Sequence, residues 1–358
     1  MKKLKSELLK TTRPAIEFIR NIDGKTVVIH DDDADGVCAG VLIGKIVDNP
    51  KLFSTEWNIS LTESVVEKVK KEKADYVIII DTPSIDQKLL DKMNCKILII
   101  DHHVPDRYEN VVYCNPRLYS KDIYWPASYL CYYIYSIIAG KGGFAWIAAA
   151  GILGDHGVKD CKDVFIELKD SELIKGFELN EHDLFESKLG LITKIIDSGR
   201  VVKADKGATF VSNVLLKMND YNELLEEKTK ESKTILEWYE ISKKEFQRLI
   251  RDFEKNSKQI SDKIIFYKFK SDLRLKSSLA SYLGAKMRDK ILVIVQENDD
   301  HYSVSMRRGD DINTDLHDFI KKCIRNIPGA VGGGHPEAVG AKVPKDYLNV
   351  FLKNLSLK

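Results

Sequence analysis

Three short runs rich in Val and Ile organise the first half of the chain: 25–30 (KTVVIH), 74–81 (ADYVIIID) and 95–101 (CKILIID). Their apolar residues are continuous rather than alternating, so both faces of each strand must be covered. Between them lie segments with apolar residues at helical spacing, such as 36–47 (GVCAGVLIGKIV) and 63–74 (ESVVEKVKKEKA). Strands of this kind alternating with helices predict an α/β domain built on a parallel sheet. Ligands of such sheets bind outside the carboxyl ends of the strands. There this chain places His30 to Asp35, Asp81, and Asp101 to His103. A fourth segment, 144–157 (FAWIAAAGILGDHG), reads as a small-residue helix ending in Asp155 and His156. Five of the eight histidines (His30, His102, His103, His156, His335) lie in these segments or in one later glycine-rich stretch.

Asp31, Asp32, Asp33 and Asp35 are crowded into the turn after the first strand. Two carboxylates about 4 Å apart repel by roughly 1 kcal/mol in water and roughly 4 kcal/mol near a protein surface, so the cluster calls for a positive partner. Carboxylate oxygens suit Mg²⁺ and Mn²⁺, and imidazole suits Mn²⁺ better than Ca²⁺. A pair of such ions needs a bridging carboxylate and terminal Asp and His ligands, which the chain offers in four places; the chemistry this predicts is metal-assisted phosphoester hydrolysis. Taken singly, each motif has an ordinary reading. The Asp run could be an exposed turn, Asp81 a helix cap, the His pair plain polar surface, and Asp155 a helix end. Their joint occurrence at strand mouths favours a site.

The length of 358 residues favours two domains. Residues 221–260 contain abundant Glu and Lys and no Pro or Gly, which predicts long helix connecting a first domain at 1–220 to a second at 261–358. The second domain reads as α/β, with strands at 263–269, 290–297 and 302–308, a helix at 277–289, and a closing stretch at 329–344 (GAVGGGHPEAVGAKVP). The glycine run lets backbone N–H groups approach an anion, and Arg307 and His335 add donors suited to phosphate. The six cysteines form no Cys-x-x-Cys pair, which argues against a zinc ribbon or a disulfide framework. A formal net charge of +2 does not decide for or against nucleic acid. No stretch approaches a membrane span, and the N-terminal MKKLKSELLKTTRP lacks the apolar core of a signal peptide, so a cytoplasmic location without membrane association is expected.

The ordered set DADG (33–36), IIIDT (78–82), DHH (101–103) and GILGDHG (151–157) closely resembles the DHH phosphoesterase superfamily. VSMRRG (304–309) and GGGHPEAVG (332–340) look like the DHH-associated C-terminal domain of its RecJ-like and nanoRNase-like branch. The resemblance implies an α/β fold: a parallel-sheet DHH domain joined by a long helical linker to a smaller α/β C-terminal domain, with the active site in the cleft between them. It implies two divalent metal ions as cofactors, Mn²⁺ ahead of Mg²⁺, at Asp33, Asp35, Asp81, His102 and Asp155, with Asp81 bridging and His103 contacting the scissile phosphate. Asp101 is expected to orient His102, and Asn115 and Pro116 match an Asn-Pro with no assigned role. His30 joins the metal candidates, although it precedes Asp33 by three residues where several relatives have a His four before; Asp31 or Asp32 is the alternative. Arg307, Gly333, Gly334 and His335 are the implied substrate contacts. The expected activity is that of a RecJ-like exonuclease or short-oligonucleotide nuclease on single-stranded DNA or RNA, with a replication or repair protein as a further partner. The alternatives are a phosphatase or phosphodiesterase for nucleotide bisphosphates or cyclic dinucleotides, and a replication-associated scaffold. The complete ligand set argues against the scaffold.

Overall fold

The computed structural model describes residues 2–56, 61–120, 123–140 and 143–356, and the chain divides into two compact units, 1–239 and 240–358. The first unit is built on five strands: β1 (Thr26–His30), β2 (Lys51–Ser54), β3 (Tyr76–Ile80), β4 (Lys96–Ile100) and β5 (Val111–Cys114). All pair in parallel, in the order β2-β1-β3-β4-β5. The two-residue period of a strand divides its side chains between two cores. Val28, Ile78, Ile80, Leu98 and Ile100 pack with residues of the helices Lys2–Arg20, Ala34–Gly44, Ala127–Ile138, Ala145–Gly154 and Lys188–Leu215. Val27, Ile29, Val77, Ile79, Ile97 and Ile99 pack against Val65, Val66 and Val69 of the helix Glu63–Glu72. Each fully buried side chain contributes about 1.5–3 kcal/mol, which is why the runs are apolar without a break.

The strand order reverses between β1 and β3, and that point opens a crevice at the carboxyl edge of the sheet. The turn entering it is tightly fixed. Asp33 caps the helix Ala34–Gly44 by accepting from Gly36 N at 3.0 Å. A Cβ on Gly36 would lie 2.7–2.8 Å from the backbone of Asp31, so only glycine lets this first turn lie against the acidic loop.

The helix Lys188–Leu215 is broken at Ala204, whose φ of 58° and ψ of −145° are non-helical. The break folds its two halves together at Gly199 and Gly207, where a Cβ on Gly207 would come within 2.0 Å of Gly199 O. Arg200 lies on the first half, while Thr209 and Ser212 on the second reach Ser54 and His30.

The second unit carries a mixed sheet of β6 (Lys258–Ser261), β7 (Ile264–Lys270), β8 (Ile291–Glu297), β9 (His301–Arg308), β10 (Val331–Gly334) and β11 (Ala338–Pro344), in the order β10-β11-β9-β8-β7-β6. Only β7 and β8 are parallel, and the helix Lys276–Lys286 supplies the crossover such a pair requires. One face packs Val304, Met306, Val339 and Val343 against Leu316, Ile320 and Phe351 of two later helices. The pairing register aligns Gly333, Gly340 and Ser305 on the opposite face, which Arg307 and Ala338 share.

The 221–260 stretch contains a short helix, Asn222–Leu225, and a long one, Lys230–Asn256, about 40 Å in length. It does not stand apart from the two units. Ile235 is buried in the core of the first, and Phe253 packs on Tyr267 of the second at a centroid distance of 5.4 Å. Among the described residues no helix is long and apolar enough to cross a membrane.

The Ala204 conformation yields an asymmetric prediction. Ala204→Gly should leave stability unchanged or raise it by up to about 1 kcal/mol, because relief of strain opposes the entropy of an added glycine. Ala204→Val should lower it by about 2 kcal/mol or more. Urea denaturation of the two variants checks this, and equal effects would contradict it.

Candidate metal centre

Because β1, β3 and β4 run in parallel, the residues that follow them emerge at one edge of the sheet. Asp31 to Asp35 follow β1, Asp81 follows β3, Asp101 to His103 follow β4, and Asp155 ends the helix Ala145–Gly154. His102 Nε2 lies 3.1 Å from Asp81 Oδ1 and 3.5 Å from Asp155 Oδ2, and His103 Nδ1 lies 3.8 Å from Asp81 Oδ1. Three overlapping groups place their ligand atoms within 4.8 Å of one another: Asp81, His102 and His103; Asp35, His102 and Asp155; and Asp31, Asp33 and Asp81. Asp33, Asp35, Asp81, His102, His103 and Asp155 therefore converge, and Asp31 joins them.

The electrostatics fit a missing positive charge. Burial, reinforced by neighbouring aspartates, pushes Asp31 and Asp35 up to about 7 and holds Asp81 and Asp155 well above the ordinary carboxylate range. Burial, then the neighbouring His103, lowers His102 to about 3, so its ring is neutral and its lone pair available. Among the described residues Asp81 Oδ1 and His102 Nδ1 are buried without a hydrogen-bond partner, at a cost of about 1–3 kcal/mol for each such atom. Carboxylates with a neutral imidazole are the donors that Mn²⁺ and, through the oxygens, Mg²⁺ accept. The residues present fit divalent cations.

Several residues hold the donors in place. Both Asp35 oxygens accept from the start of the helix Ala127–Ile138, from Ala127 N at 2.7 Å, Ser128 N at 3.0 Å, and the Ser128 hydroxyl. Tyr124 OH donates to Asp155 Oδ2 at 2.6 Å, and Thr55 Oγ1 donates to Asp31 Oδ1 at 3.0 Å. The expected partnership of Asp101 with His102 is not what the structure has. Asp101 Oδ1 accepts from His103 Nδ1 at 2.9 Å, while Asn115 Nδ2 donates to Asp101 Oδ2 at 3.3 Å and to His103 O at 3.1 Å. Asn115 thus has a role, fixing the turn that presents His103. Burial pulls the His103 pKa down, but Asp101, Asp31 and Asp33 outweigh it and raise the value.

His30 is placed differently from the sequence expectation. It is fully buried, and burial lowers its pKa to about 4. The neutral ring donates from Nδ1 to Asp31 O at 2.7 Å and accepts at Nε2 from Ser212 Oγ at 2.9 Å. Both nitrogens are engaged, and no candidate metal group among the described residues includes it.

Arg200 is a further charged neighbour that the sequence reading missed. It pairs with Asp197 and lies 3.9 Å from Asp32. Burial works against its charge, but Asp197, Asp33 and Asp32 raise its pKa overall.

In the second unit, Arg307 donates to Ser281 Oγ at 3.3 Å and to Met306 O at 3.0 Å. Lys276 donates to Val304 O at 3.1 Å, and burial, then the charge of Arg307, pushes it down to about 8. Burial also lowers Arg307, and among the described residues no acidic group acts on either. Gly333 has open space where a Cβ would stand, and Gly334 and His335 are exposed.

The DHH family, N-terminal domain, matches residues 25–144, and the DHHA1 domain matches residues 263–357. The chain belongs to the DHH superfamily, and its two units have the fold of the RecJ-like branch. The structure of RecJ from Thermus thermophilus in complex with Mn²⁺ is similar, with a TM-score of 0.69 at 14% identity, covering 98% of this chain and 54% of that one. The structure of exonuclease RecJ bound to manganese gives a TM-score of 0.66 at 14% identity, covering 97% and 93%. The uncharacterized protein MJ0831 of Methanocaldococcus jannaschii is 32% identical over 171 residues, 43% of this chain and 38% of that protein. The chain thus spans about half the length of the Thermus RecJ and less of MJ0831.

The folded value of about 7 for Asp31 lies above the ordinary 3.8, so the folded state keeps this proton to higher pH and the stability associated with it falls as pH rises through that interval. In the metal-free protein, Asp31→Asn, which cannot ionise, should therefore gain stability relative to the unaltered chain between about pH 4 and pH 7, on the order of a few kcal/mol. Added Mn²⁺ should remove the gain. Thermal melts in chelator and in Mn²⁺ check this, and a difference independent of pH would contradict it.

Proposed function

We propose that this protein is a divalent-metal-dependent phosphodiesterase acting on single-stranded DNA or RNA ends or on short oligonucleotides. The observation that carries the reading is the sharing of Asp81 and His102 among three donor groups, in a pocket where Asp31, Asp35, Asp81 and Asp155 are pushed toward protonation. Asp31, Asp33 and Asp81 would hold one cation, and Asp35, His102 and Asp155 a second, with Asp81 shared. Bound divalent cations supply charge neutralisation at a phosphoryl group and a water made nucleophilic at neutral pH.

The chain's own residues supply the rest. With Nδ1 committed to Asp101, His103 keeps Nε2 for a phosphate oxygen, and its raised pKa favours the cationic, donating form. Arg307 and Lys276 are cations with no acidic group acting on them among the described residues. Such charges are costly unless an anion meets them, and Arg can grip phosphate oxygens at two points. The open glycine face beside Arg307 would admit the sugar-phosphate backbone. Gly334 and His335 at the adjoining turn complete the proposed contacts. A replication or repair protein as partner is part of the same proposal, by likeness to RecJ.

End-labelled DNA and RNA oligomers of several lengths, a dinucleotide and a nucleotide bisphosphate, each with Mn²⁺ or Mg²⁺, test the reading. Oligomers should be hydrolysed with no activity in chelator, and Asp81→Ala should lower the rate more than about 100-fold with the fold intact. Arg307→Ala should act mainly on KM. Faster turnover of the bisphosphate than of any oligomer would favour the phosphatase alternative. No hydrolysis of any substrate would favour the scaffold.

A further inference from the structure

The two donor groups proposed above are supported by separate parts of the chain. Residues 124–128 touch every member of one group. Tyr124 OH donates to Asp155, the Tyr124 ring stands edge-on to His102 with centroids 5.3 Å apart, and the Ala127 and Ser128 amides with the Ser128 hydroxyl hold Asp35. The segment is itself anchored. Tyr124 N donates to Asp160 Oδ2 at 3.1 Å, Trp125 is fully buried, and a Cβ on Gly157 would collide with the Pro126 ring at 2.4 Å.

Among the described residues no hydrogen bond joins this segment to Asp31, Asp33 or Asp81. Asp31 is held instead by Thr55 and Asp33 by the Gly36 amide, while Asp81 Oδ1 accepts no hydrogen bond. Partners that fix a ligand's orientation typically change metal affinity 10–100-fold when removed.

We propose that Tyr124 and Ser128 are positioning residues for one cation of the pair, setting affinity at Asp35, His102 and Asp155 without weakening the site of Asp31 and Asp33. Thr55 is their counterpart for the other cation. The inference rests on the metal reading above and adds that the two sites, although they share Asp81, are held by different hydroxyl partners. Tyr124→Phe removes one hydroxyl and keeps the ring against His102. Thr55→Val removes the hydroxyl that holds Asp31.

The test is a Mn²⁺ titration of the full chain, with free ion followed by electron paramagnetic resonance, which reads affinity without any turnover. The unaltered chain should bind two ions. Tyr124→Phe should weaken one class of site about 10–100-fold and leave the other in place. Ser128→Ala should weaken the same class, and Thr55→Val the other. The proposal is overturned if Tyr124→Phe shifts both classes equally or neither, or if Tyr124→Phe and Thr55→Val weaken the same class. If Tyr124→Phe fails to fold, Ser128→Ala against Thr55→Val decides alone. Fewer than two ions on the unaltered chain overturns the metal reading and this inference together, whereas two ions with an unchanged Tyr124→Phe overturns the inference only.

Discussion

Mutual repulsion of carboxylates in a buried pocket is the constraint on which the rest of this structure depends. Asp31, Asp33 and Asp35 share one loop, and folding brings Asp81 and Asp155, from two distant parts of the chain, against it. At such separations each close pair costs roughly 4 kcal/mol near a protein surface. The sheet tolerates this because its strands are buried on both faces by two apolar cores. Arg200 offsets part of the charge from one side, through Asp32 and Asp33, although it is also paired with Asp197. Protons or metal cations must offset the remainder, and the raised pKa values of Asp31 and Asp35 describe the protonated alternative.

The central strands were legible because burial on both faces leaves unbroken apolar runs. β2 and β5 were not, since four residues are too few for a period to register. The clustering of acidic and histidine side chains was legible for a related reason: in a parallel sheet, any polar residue at the carboxyl end of a strand faces one edge. His30 shows where that rule fails. It is the last residue of β1 rather than the first beyond it, and it shares the Val28 face under the helix Ala34–Gly44. A Cβ on Gly40 would lie 2.7 Å from its ring. It consequently packs inward and ties the acidic loop to Ser212.

Asp101 shows a finer limit. Sequence order suggests that it serves its neighbour His102, but the turn carries His103 back onto it, and turn geometry leaves no periodic signal. Tyr124, Ser128 and Thr55 were invisible because each is an ordinary polar residue at the end of an element. Only the fold brings Tyr124 within 2.6 Å of a carboxylate thirty-one positions away. The break at Ala204 carries no Pro or Gly at its own position, so no residue there marks it in the sequence.

Similarity to RecJ at 14% identity establishes a shared fold; the reading of function rests on side chains. Diffraction from crystals soaked in Mn²⁺, recorded at the manganese edge, tests that reading most directly. Two anomalous peaks about 3.5–4 Å apart, with Asp81 between them, are the expected result. An absence of peaks from this pocket at saturating Mn²⁺, with the aspartates still in place, would contradict it.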